Sequence, residues 1–258
     1  SATGYFAANW NVEGAVGSVQ RLYETFNGPG SFDQLMQQAA DKPGGPGINP
    51  RKDLLDQLSG MMHMANYPAA APRVQPTGGN AIAAQQPAVI ALDVKDEKQM
   101  AEVLARLSET PNFPGETREF QGTTLYEIPT PNQGGQGGKM VIAVAKEHLF
   151  FATDVKRMEE ILRGGVGTPL AETEDYKKVA HFIPDEVAML GFQDQRDQLK
   201  AMYEALKSGQ VSGQLQGFDL STLPPFEDIA KYLRQTGSYA VPDENGALIV
   251  SFSLKMEK

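Results

Sequence analysis

Pro87-Ala-Val-Ile-Ala-Leu-Asp-Val94 opens the stretch that decides the fold. An apolar run of this length, bounded by Pro and by Lys95-Asp96, reads as a buried strand. Asp96–Ser108 follows as an amphipathic helix, with Met100, Val103, Leu104 and Leu107 on one stripe. Leu125–Ile128 reads as a strand, and Met140–Ala145 with Leu149–Ala152 as a hairpin. Asp154–Arg163 reads as a second helix, stopped by Gly164-Gly165. The order β-α-β-β-β-α predicts an α+β unit over 87–165, with Leu104 buried against its sheet.

The flanks extend the pattern. Tyr5–Trp10 reads as a strand and Val12–Phe26 as a helix, with Val16, Val19, Leu22, Tyr23 and Phe26 on one stripe. Phe32–Ala40 reads as a second helix. Pro50 starts a third, running through Ser59 and ended by Gly60. Met61–Tyr67 reads as a strand. Residues 68–86, rich in Ala, Pro, Gly and Gln, read as a mobile loop. After the central unit, the pattern predicts helices over 173–183 and 196–207, and Pro224-Pro225 opens another that runs through Leu233. Val187–Phe192 reads as a strand. Gly237–Val241 and Ala247–Leu254 read as a hairpin turning at Asp243-Glu244-Asn245-Gly246.

A shift of 180 residues lays Val19, Leu22, Tyr23 and Phe26 on Leu199, Met202, Tyr203 and Leu206, and Trp10 on Leu190. Two amphipathic helices can agree at four positions without common origin. The shared order of elements favours duplication, with similar halves 1–86 and 166–258 flanking 87–165. The expected architecture is one α+β domain over 1–258: a largely antiparallel sheet covered on one side by amphipathic helices.

Composition narrows the function. The 258 residues carry 23 Lys and Arg against 32 Asp and Glu, a net charge of −9. No basic cluster longer than Lys177-Lys178 occurs, so no nucleic-acid partner is expected. No cysteine is present, which excludes disulfides, cysteine nucleophiles and thiolate metal sites. No run approaches the roughly 18 apolar residues of a membrane span.

The motifs predict neither cofactor, nor metal, nor catalytic residue. His63, His148 and His181 show no paired metal spacing. His148 falls in the turn Lys146-Glu147-His148, where a solvated ring is expected. His181 falls at the core edge of a helix. Met61-Met62-His63-Met64 carries copper-type donors, but strand alternation sends Met62 and Met64 to one face and His63 to the other. Gly134-Gly-Gln-Gly-Gly138-Lys139 lacks the Ser or Thr of a phosphate loop and reads as a flexible connection. Gly164-Gly165-Val166-Gly167 follows a helix and reads as a C-cap.

The ordered motifs resemble an uncharacterised family of exported bacterial proteins, a domain of unknown function. The matching pieces are Gly4–Trp10, Pro50–Gly60, Leu92–Asp96, Phe120–Tyr126, Phe151–Asp154, Pro224–Ile229 and Gly237–Val241. The resemblance implies a periplasmic or extracellular protein, exported or anchored, and implies no chemistry. A cytoplasmic location is the alternative. The leading expectation is a non-enzymatic binding protein for a protein partner or an apolar small molecule. The alternative is a hydrolase whose carboxylates or serines assemble from distant segments.

Overall fold

Residues Ala88–Val94 form a strand at the middle of a ten-stranded antiparallel sheet in the computed structural model. In chain order the first elements are β1 (Gly4–Asn9), α1 (Val12–Asn27), α2 (Ser31–Ala40), β2 (Leu58–Asn66), β3 (Ala88–Val94) and α3 (Glu97–Ser108). Then come β4 (Glu116–Phe120), β5 (Thr123–Pro129), β6 (Lys139–Ala145), β7 (His148–Ala152), α4 (Val155–Leu162) and α5 (Glu174–Ala180). The last are β8 (Met189–Gln193), α6 (Arg196–Lys207), α7 (Phe226–Ala230), β9 (Thr236–Asp243) and β10 (Gly246–Ser253). The sheet order is β10-β9-β8-β1-β2-β3-β7-β6-β5-β4. The structure describes residues 2–68, 87–111, 113–130, 138–165, 167–207, 222–244 and 246–255. The predicted mobile loop 68–86 and the glycine-rich connection 134–138 lie outside these, apart from their end residues Pro68 and Gly138.

Strands β3, β5, β6 and β7 are apolar on both faces, and each face buries its own helix. On one face Val89, Ala91, Leu125, Val141, Ala143, Ala145, Phe150 and Ala152 pack with Met158 and Leu162 of α4. On the other, Val94, Tyr126, Val144 and Leu149 pack with Met100 and Leu104 of α3. The alternation along each strand separates the two sets. The expected coverage on one side is therefore revised here: α3 and α4 take opposite faces. The unbroken run Val89-Ile-Ala-Leu92 is the sequence correlate, since a strand buried on both faces has no polar alternation.

Both helices start the same way. Asp96 caps α3 by accepting a hydrogen bond from the Gln99 backbone N–H, 2.9 Å, and Asp154 caps α4 through Arg157 N–H, 3.0 Å. In the other half of the sheet, α5 packs on β9. Val179 is fully buried there, and a Cβ on Gly237 would stand 2.6 Å from its Cγ1. Pairing carries Gly237 through Phe192 and Tyr5 to Ala65 and Val89, so α5 lies on the α4 face.

Four expectations need correction. The helix predicted to run from Pro50 through Ser59 is a π-helical turn, Pro50–Leu54, then a 3-10 turn, Leu55–Gln57. Strand pairing takes over from Leu58, so Gly60 lies inside β2 and ends no helix. Strand β4 was unpredicted because Glu116, Arg118 and Glu119 mask its alternation; charge on an edge strand discourages pairing with other chains. The α1 stripe divides: Val16 and Tyr23 are half-buried, while Val19, Leu22 and Phe26 are exposed, because the helix rests on α2, the 55–57 turn and β2 along one narrow side only. His181 is an exposed helix C-cap, not a core-edge residue.

Leu104→Ala is expected to cost about 2–5 kcal/mol as a buried large-to-small change. Leu22→Ala, on the exposed side of α1, should stay within about 0.5 kcal/mol of wild type. Urea unfolding of the two variants checks both, and equal losses would contradict the packing.

Candidate metal centre

Strand register brings together residues far apart in sequence. Asp93 of β3 stands directly opposite His148 of β7. His63 of β2 stands opposite Ala91, one diagonal step from Asp93 and on the same face. His63 Nε2 lies 3.4 Å from Asp93 Oδ1, and His148 Nε2 lies 3.0 Å from the same oxygen. One donor atom from each of the three residues lies within 4.8 Å of the other two.

A β-bulge sets this register. Leu58 pairs with Val94, but Met62 pairs with Leu92, so β2 spends four residues where β3 spends two. Had the Leu58 register continued, His63 would face Val89, two residues further from Asp93. Gly60 makes the bulge possible. Its φ is +105°, and a Cβ there would stand 2.5 Å from the Trp10 carbonyl oxygen. That close approach is fixed by a hydrogen bond from Trp10 N–H to the Gly60 carbonyl, 2.9 Å.

The other side of the site is held by a strained turn. Lys146 and Glu147, which join β6 to β7, have φ of +53° and +62°. Two-residue hairpins favour this geometry, usually with Asn-Gly. Side chains with a Cβ adopt it at a cost of about 1–3 kcal/mol each. Neighbouring elements hold the turn: Glu147 N–H donates to Glu97 Oε2, 2.6 Å, and its carbonyl accepts from Val94 N–H, 2.9 Å. The Lys146 ammonium donates to the Ile161 carbonyl at 2.7 Å. In this conformation the Lys146 carbonyl accepts a hydrogen bond from His148 Nδ1. His63 Nδ1 meets the Tyr5 hydroxyl at 2.8 Å. Burial pushes the Tyr5 phenol up, and Tyr176 and Asp93 push it further, so it stays protonated at neutral pH.

The polar atoms are not all satisfied. Asp93 Oδ1 is buried and has no hydrogen-bond partner, because neither imidazole approach meets hydrogen-bond geometry. The three side chains are about a third exposed, at 30%, 32% and 30% for His63, Asp93 and His148. The site is thus reachable while its central acceptor is sheltered. Phe150 stacks on His148 with ring centroids 5.4 Å apart, and Tyr5 stacks on His63 at 6.2 Å.

A second charged cluster lies farther along the same face. Buried Glu127 accepts from Arg118 Nε at 2.6 Å and from Lys139 Nζ at 2.9 Å. Arg118 also donates to Glu159, 2.6 Å. Lys139 and then Arg118 hold the Glu127 carboxyl below its ordinary range. Arg118 bridges Glu127 and Glu159 while Lys139 also pairs with Glu127, so the cluster is an ion-pair network.

No catalytic, cofactor or metal residue was predicted from sequence. In the sequence His63 and His148 lie 85 residues apart and share no spacing pattern. Met62 and Met64 pair with Leu92 and Ile90 on the face away from His63, as strand alternation requires. Asp93 was unflagged, and the sequence signal for it was Gly60, a glycine that marks a bulge when read inside a strand. Comparison with protein-family models, curated proteins and solved structures gives no match to this chain.

Gly60→Ala should cost about 1–3 kcal/mol, through its positive φ and the clash with the Trp10 carbonyl. Thermal melts should show a drop of several degrees for a chain of this length. An unchanged melting temperature would mean that β2 pairs with β3 without the bulge.

Proposed function

We propose that this protein is an exported or envelope-associated binding protein, not an enzyme, and that its binding centre is Asp93 with His63 and His148. The observation that carries the reading is Asp93 Oδ1, a buried acceptor left without a hydrogen bond between two imidazoles. Buried polar atoms are almost always paired, and an exception calls for a ligand or a strain reservoir. A carboxylate flanked by aromatic nitrogens suits a cationic ligand. Export is supported by the resemblance of the ordered motifs, and the absence of cysteine fits the envelope and a reducing cytosol alike.

The preference for a cation over an apolar ligand follows from the open surfaces. A hollow of about 750 Å³ over β1, β8, β9 and β10 is lined by Phe6 and Met64, but equally by Ser238, Ser251 and Ser253. That mixed lining makes a poor apolar groove. Two similar halves remain part of the proposal. β1 pairs with β8, each then pairs outward with β2 or β9, and α1 and α6 follow the two inner strands. This is the arrangement that a local two-fold would produce.

A centre kept for a ligand and not for the fold leaves a stability signature. Asp93→Asn, measured without added ligand and after chelator treatment, should be as stable as wild type within about 0.5 kcal/mol, or more stable. The substitution changes an acceptor that has no hydrogen bond to lose. A loss above about 2 kcal/mol would show Asp93 anchoring the fold as the partner of protonated histidines, and would contradict the proposal.

A further inference from the structure

We infer that the ligand is a divalent transition-metal ion of the zinc class, held by His63 Nε2, His148 Nε2 and the Asp93 carboxylate. The inference rests on reading Asp93 as a binding centre and names what binds there.

The first argument is tautomeric. A backbone carbonyl can only accept, so the Lys146 carbonyl requires a proton on His148 Nδ1. In a neutral ring Nε2 is then bare, and it stands 3.0 Å from Asp93 Oδ1. Two acceptors at that distance repel unless a proton or a metal ion lies between them. Metal-binding histidines commonly show this arrangement, the second ring N–H given to a carbonyl or other acceptor while the first nitrogen faces the ion. His63 completes the set if its Nδ1–H donates to the Tyr5 hydroxyl, which leaves Nε2 free for the metal.

The second argument is geometric. A hydrogen bond places the proton near the line between nitrogen and oxygen. Two ligands of one ion do not share such a line, because the ion sits at the apex of a triangle with legs of about 2.0–2.2 Å. Tetrahedral legs of that length separate neighbouring donors by about 3.4 Å. The observed 3.4 Å matches this, the observed 3.0 Å corresponds to a narrower donor–ion–donor angle of about 90° with the same legs, and the failure of both approaches as hydrogen bonds fits an ion as well.

The third argument concerns which ion. Two imidazoles and one carboxylate suit zinc, iron(II), cobalt or nickel; calcium and magnesium prefer all-oxygen sets. Copper(I) would favour thioethers, and Met62 and Met64 face away. Three protein donors leave at least one position for water.

Zinc chloride titrated calorimetrically into the chelator-treated full chain should bind at one ion per chain. His63→Ala and His148→Gln should each weaken that binding by at least about 100-fold, and Tyr5→Phe by about 10–100-fold. His181→Ala, on the exposed end of α5, should leave it unchanged. Cobalt(II) added to wild-type protein should develop visible absorption bands, a readout that needs no variant to fold. The inference is overturned if zinc shows no saturable binding, or if binding survives His63→Ala and His148→Gln together. The outcome for Asp93→Asn separates the two readings. With no zinc binding and an undiminished stability, the metal is wrong and another cation is indicated. With no zinc binding and a large loss of stability, both readings fall.

Discussion

The ladder between β2 and β3 is the constraint on which the rest of the molecule depends. It is the only strand pairing, among the described residues, that joins β10-β9-β8-β1-β2 to β3-β7-β6-β5-β4. The apolar clusters around α3 and α4 belong mainly to the second group of strands. Leu54 and Leu58 reach across to the α3 cluster, and Lys95 N–H donates to the Gln57 carbonyl at 2.7 Å. These contacts flank the ladder where the bulge distorts it. A bulge in the sole joining ladder weakens pairing, and the close Gly60–Trp10 approach offsets that by tying β2 to the end of β1.

The same bulge makes chemistry possible. Side chains on a sheet face meet directly opposite or one diagonal away, and a two-residue change of register decides which. The bulge shifts His63 by two residues, which keeps it on the α4 face and moves it toward Asp93. On the far side, two positive-φ residues hold the Lys146 carbonyl against His148. A bulge on one side and a strained turn on the other side of one half-buried carboxylate is the pattern expected where a fold gives up some stability to hold a site.

The central unit was legible because its elements announce themselves locally. The α3 stripe is read at helical spacing, and Met100, Val103 and Leu104 are all buried. The Gly164-Gly165 stop appears as two positive-φ residues after α4. What was not legible depended on partners. The α1 stripe looked like a buried face, yet periodicity shows only that apolar residues share a side and not that anything covers it. Strand β4 hid behind the charges suited to an edge. The site was illegible for the same reason: Asp93 looks like the polar end of a strand, and His148 like a solvated turn. Both become a site only when register is known, and register is set by a glycine 33 residues before Asp93.

Bulge and turn together place three donors around one point. Crystals grown with zinc and measured on both sides of the zinc absorption edge test it directly. One strong anomalous peak is expected about 2.0–2.2 Å from His63 Nε2, from His148 Nε2 and from an Asp93 carboxylate oxygen. No peak there, or His63 found opposite Val89 instead of Ala91, would contradict it.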